Sequence, residues 1–191
     1  MEFQLNENLG SWLTQLNDKT VEKIYQVDFN NNRHQDNYLP WQFFITFHGF
    51  DKFLQIEGDF DGDHIKIDLD DISNLEDKLK ENDLKNEFDL WTVYTADKSE
   101  KLGQLLNGTI RRLEYGIDKD NFVINETRIQ GQKDVFTFIR FYLDDSNLTI
   151  SEGGCGLYVS DDPNEKLNFE ETFNTYETGK NKKLPPTKSS C

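Results

Sequence analysis

Asp59, Asp61, Asp63, Asp68 and Asp70 crowd one short segment. Carboxylates at alternate loop positions are what a hard cation such as calcium requires. Set against the calcium loop of the EF-hand type, Asp59, Asp61 and Asp63 take the first ligand positions and Asp70 the last. The pattern fails inside the loop: Gly62 comes too early, His64 stands where the loop needs glycine, and the flanks alternate as strands do. The segment therefore reads as a solvent-facing hairpin turn with acidic decoration, and no metal site is expected. His34, His48 and His64 have no His or Cys at ligand-like spacing. His48 and His64 fall on polar strand faces and are expected at the surface. Cys155 sits in Gly153-Gly154-Cys155-Gly156 beside Glu152, with no base near it in sequence to favour the thiolate. Its glycines suit a bulge or tight turn. The chain has no P-loop, GxGxxG, GxSxG, HExxH or CxxC, so no catalytic residue and no cofactor is assigned.

The elements that would position these residues are mostly strands. Leu9, Trp12, Leu13 and Leu16 share one helical face over residues 6–17, weakened by Gly10. Val21–Phe29 alternates as a half-buried strand, and the polar Asn30–Pro40 reads as a loop. Trp41–His48, Lys52–Glu57 and His64–Leu69 form an antiparallel meander, its second turn holding Asp61-Gly62. Ser73 and Glu76 have capping-box spacing before a helix with Ile72, Leu75 and Leu79 as its inner stripe. Phe88–Thr95 is apolar on both faces, which predicts a central strand. Lys98–Leu106 predicts a short helix ended by Asn107-Gly108, a hairpin at that pair being the competing reading. Ile110–Ile117 and Asn121–Ile129 form a hairpin, and Val135–Leu143, Leu148–Ser151 and Cys155–Ser160 close the sheet. The expected fold is α+β: a mostly antiparallel curved sheet or partial barrel of about ten strands, with about three helices packed on it. Phe43, Ile45, Phe47, Trp91, Val93, Phe136, Phe138, Phe141 and Leu148 should share one core. Residues 1–177 form one domain and 178–191 a disordered basic tail.

Charge limits what such a domain meets. The chain has 36 Asp and Glu against 21 Lys and Arg, a net charge of −15. Lys180, Lys182, Lys183 and Lys188 lie in the tail, so residues 1–177 hold 17 bases against 36 acids, a net −19. That field repels nucleic acid and anionic membrane and attracts basic partners. Fifteen Phe, seven Tyr and three Trp supply a core despite the 35% hydrophobic content, unlike the composition of acidic disordered chains. The start MEFQLNENLG has no secretory n-region or h-region, no run approaches a membrane span, and two cysteines make no disulfide framework. A cytoplasmic protein is expected.

In size, in its acidic aromatic-strand segments DFDGDHIKIDLDD (59–71) and FIRFYLDDSNLTI (138–150), and in lacking catalytic motifs, the chain resembles the small acidic immunity proteins of bacterial toxin–immunity pairs. The resemblance implies a non-enzymatic inhibitor that covers the active site of a basic toxin encoded by a neighbouring gene. Asp59, Asp61, Asp63, Asp68, Asp70 and Asp71 are the expected partner-binding residues. A small-ligand-binding domain with an aromatic-lined half-barrel is the alternative; an enzyme of unrecognised type is another.

Overall fold

The computed structural model describes residues 10–29, 40–59, 64–83, 91–118, 135–154, 156–162 and 173–178. The predicted meander is present as β2 (Gln42–Phe47), β3 (Lys52–Gly58) and β4 (Ile65–Asp71), in antiparallel register with Ile45 opposite Leu54 and Ile56 opposite Ile67. With β1 (Val21–Phe29), β5 (Trp91–Thr95) and β7 (Val135–Phe136) it makes a six-stranded sheet ordered β5-β1-β2-β3-β4-β7. A five-stranded sheet has the order β10-β9-β8-β6-β11, from β6 (Arg112–Asp118), β8 (Phe138–Tyr142), β9 (Asn147–Glu152), β10 (Leu157–Ser160) and β11 (Phe173–Glu177). All pairings between these strands are antiparallel. The architecture is thus two open sheets, not the single curved sheet or partial barrel expected. Among the described residues there is one α-helix, α1 (Leu75–Asn82), with 3-10 helices at Ser11–Leu16, Ile72–Asn74 and Leu102–Leu105.

Period-two alternation sorts each strand into a core face and an outer face. Ile24, Phe43, Ile45, Leu54, Ile56, Ile65 and Ile67 from the first sheet meet Leu113, Tyr115, Ile117, Ile139, Phe141, Leu148 and Ile150 from the second in one cluster. Leu13, Leu16, Leu102 and Leu105 join it from the 3-10 helices. Each fully buried Leu, Ile or Phe contributes about 1.5–3 kcal/mol through area removed from water. A second, smaller cluster lies on the outer face of the six-stranded sheet: Val27, Phe44, Phe53 and Leu75, with Tyr25, Leu79, Trp91 and Val93 packed on it. Trp91 and Val93 therefore leave the expected single core, and Phe138 faces the other way as well, on the row of Gly116 and Ser151.

Four local expectations change. Val135–Leu143 is interrupted at Thr137, so β7 pairs with β4 in one sheet and β8 with β6 in the other. The Thr137 N–H donates to the Gly116 carbonyl at 3.0 Å, and a Cβ at Gly116 would collide with Thr137 and the Phe138 ring, so the crossing needs glycine there. β5 is an edge strand rather than a central one; α1 covers its outer face, which explains its double-sided apolarity. Ser73 lies inside a 3-10 turn and caps nothing, so the capping box is not made. β11 was not expected in a polar segment; Tyr176, stacked on Tyr115 at 5.6 Å, holds it to β6.

The helix expected at 98–106 is present as the 3-10 turn Leu102–Leu105, and Asn107 ends it in the left-handed region at φ 64°. Residues 30–39 of the expected loop, the Asn121–Ile129 strand and the tail from Gly179 lie outside the described residues.

Candidate functional site

Alternation across the six-stranded sheet grades from apolar to acidic. On its outer face Tyr25 stands opposite Phe44, Phe44 opposite Gln55, and Gln55 opposite Asp68; the next row runs Thr46, Phe53, Asp70. Leu75 and Leu79 of α1 cover the aromatic part, which leaves Asp68 and Asp70 at the rim beside the helix. Asp70 Oδ1 accepts from the Asp71 N–H at 2.7 Å and from Asn74 Nδ2 at 2.8 Å, which fixes the turn into the Ile72–Asn74 helix. The Ile72 N–H donates to the Asp51 carbonyl at 2.8 Å. Ile72, expected in the helix's inner stripe, is instead 40% exposed, because α1 begins only at Leu75. Asp71, Glu76 and Asp77 are exposed around it in sequence. Lys80 lies 2.7 Å from Glu76, and this hydrogen bond lowers the Glu76 carboxyl and raises the Lys80 amine relative to their ordinary values.

The expected partner-binding aspartates divide on this geometry. Asp68 and Asp70 share the rim, while Asp71, exposed at the strand end, alternates to the face of Leu69. Asp59 is buried, 3.0 Å from Lys66 Nζ, and its N–H donates to the His64 carbonyl. Asp61 and Asp63 lie outside the described residues, as do His34 and Cys155. His48 is exposed as expected, whereas His64 is buried at the base of the hairpin. The glycine turn after β9 is built around Glu152: its Oε1 accepts from the Gly154 and Gly156 N–H groups at 3.1 and 3.2 Å, and Gly154 has φ 85°. Among the described residues no three His, Cys, Asp or Glu side chains gather as a metal site. No helix there is long and apolar enough to cross a membrane.

A second polar cluster escaped the sequence reading. On the outer face of the five-stranded sheet, cross-strand neighbours run Glu177, Glu114, Arg140, Thr149. Glu114 is buried, accepts hydrogen bonds from Arg112 Nη1 and Tyr142 Oη, both at 2.7 Å, and pairs with Arg140 Nη1 at 3.5 Å. Arg112 also lies 3.6 Å from Glu177 and stacks 3.5 Å above the Tyr142 ring, while Arg140 Nε donates to Thr149 Oγ1 at 2.7 Å. Burial first, then the hydrogen bond to Glu114, raises the Tyr142 hydroxyl above its ordinary range. Burial opposes the Arg112 charge, but Glu114, Tyr142 and Glu177 together outweigh it and Arg112 is held still more firmly protonated. Two arginines stand against two glutamates and neutralise each other, with Arg112 still partly exposed to water. The signal available in sequence was Arg112 and Glu114 at period two on one strand, with Arg140 and Tyr142 on another.

Compared with known proteins, the chain matches no family model, no curated protein and no solved structure.

Proposed function

We propose that the protein is a non-enzymatic binding protein, an immunity-type inhibitor that covers the active site of a basic toxin. The observation that supports this reading is an apolar side chain set in an acidic rim: Ile72, two-fifths exposed, between Asp70–Asp71 and the first turn of α1 with Glu76 and Asp77. An exposed aliphatic group supplies contact area, and surrounding carboxylates steer a basic surface onto it. The acidic excess of the body extends that steering beyond direct contacts. Asp70 acts in this reading through the turn it organises; Asp68 and Asp71 meet the partner.

The test uses the purified product of the adjacent gene. Its association rate should fall by about ten- to a hundredfold between low and high salt. Asp68→Lys with Asp71→Lys should slow association, and Ile72→Ala should speed dissociation by at least about tenfold, as loss of an anchor does. Binding with a salt-independent rate untouched by all three changes, or no binding, rejects the reading.

A further inference from the structure

Asn107-Gly108 is the chain's one Asn-Gly pair, and the fold treats it unusually. Asn107 is exposed and left-handed at φ 64°, so its carboxamide is open to water. The backbone around it is clamped. The Gly108 N–H donates to the Leu105 carbonyl at 2.9 Å, the Asn107 N–H to the Val21 carbonyl at 3.0 Å, and the Val21 N–H to the Gly108 carbonyl at 3.0 Å. Thr20 and Thr109 add a bridge, their hydroxyl oxygens 2.9 Å apart.

We propose that Asn107 is a deamidation site whose reaction is gated by opening of this clamp. In the reaction the Gly108 backbone nitrogen bonds to Asn107 Cγ, the Cγ–Nδ2 bond breaks, and ammonia leaves with the proton lost from the Gly108 nitrogen. Solvent water then opens the cyclic imide at either carbonyl, giving aspartate or isoaspartate. Glycine favours closure because no side chain shields its nitrogen. In the closed turn, however, that nitrogen is neither free to lose its proton nor free to swing onto Cγ, since its N–H is bound to Leu105. The rate in the native protein therefore follows the population of the locally open clamp. The isoaspartate product threads Cβ into the main chain and adds one backbone atom between residues 107 and 108. The facing bonds to Val21 cannot keep their register across that insertion, so the isoaspartate product, unlike the aspartate one, makes the opening permanent.

The full chain is incubated in mildly alkaline buffer, native and in urea, and Asn107 conversion is followed by peptide mapping. Conversion in urea should exceed the native rate by at least about tenfold, the factor set by a modest opening free energy. Thr20→Ala should raise the native rate several-fold and leave the rate in urea unchanged. Equal native and urea rates would overturn the gating, and an Asn107 that stays intact in urea would overturn the site. A Thr20→Ala protein that converts no faster than the parent while folded by circular dichroism would also reject the clamp.

Discussion

On the outer face of the six-stranded sheet Phe44 and Phe53 pack under Leu75 of α1, whereas on the outer face of the five-stranded sheet Glu114 sits among Arg112, Arg140 and Tyr142. The first face is stabilised by area removed from water, which involves no titrating group and no charge for salt to screen. The second is stabilised by mutual neutralisation, which depends on every member staying in place. The two faces handle the protein's acids in opposite ways. The ionic ribbon consumes its acids internally. Asp68, Glu76 and Asp77, by contrast, rim an apolar face and stay exposed.

The contrast breaks most sharply under truncation. Phe44→Ala should cost about 3–5 kcal/mol in urea unfolding, lost burial plus cavity; a loss under about 1 kcal/mol would mean that α1 does not seal this face. Glu114→Ala should cost less, about 2–3 kcal/mol, because it strands Arg140 while Arg112 still reaches water. Glu114→Leu combined with Arg140→Met should recover most of that loss, since an apolar pair replaces a buried ionic one. If the double variant is as unstable as Glu114→Ala, the ribbon contributes more than charge balance.

Alkaline pH separates core from surface next. Tyr115 lies in the shared core, and burial, with Tyr176 beside it, pushes its hydroxyl from 10.0 up to about 12. A value raised in the fold means that this contribution is complete below the unfolded value near 10 and is lost as pH rises through about 12. Stability should therefore decline across that window, and Tyr115→Phe should flatten the decline; an unchanged slope would place the titration elsewhere. The smallest effect belongs to the rim. Lys80→Ala removes the exposed partner of Glu76 and should leave the melting temperature unchanged within error, while making the rim more acidic.

The meander β2-β3-β4 was legible because alternation and Asp61-Gly62 agree on one hairpin. The division of Val135–Leu143 was not, since Thr137 is an ordinary strand residue and only pairing partners on two different sheets reveal the break. β5 read as central because apolarity reports covering of a face, not the number of neighbouring strands. β11 was hidden because Phe173 and Tyr176 are its only large apolar residues. At the candidate site the acidic excess was plain from composition. The exposure of Ile72 was not, because it depends on where a 3-10 turn gives way to α1. The ionic ribbon joins residues 112–114, 140–142, 149 and 177, a long-range meeting that no local spacing encodes.

The passage of the chain through Thr137 has a thermodynamic corollary. Two residues on either side of one bend belong to different sheets, and the 107–110 segment ties back to residues 18–21 at a second point. Among the described residues the two sheets are therefore joined at both places, through β7 on β4 and β8 on β6 and through the 107–110 segment. Heat should dismantle both in a single transition, with calorimetric and van't Hoff enthalpies equal. A single transition would mean that no half-folded state offers one sheet's free edges to aggregation while the other stays intact.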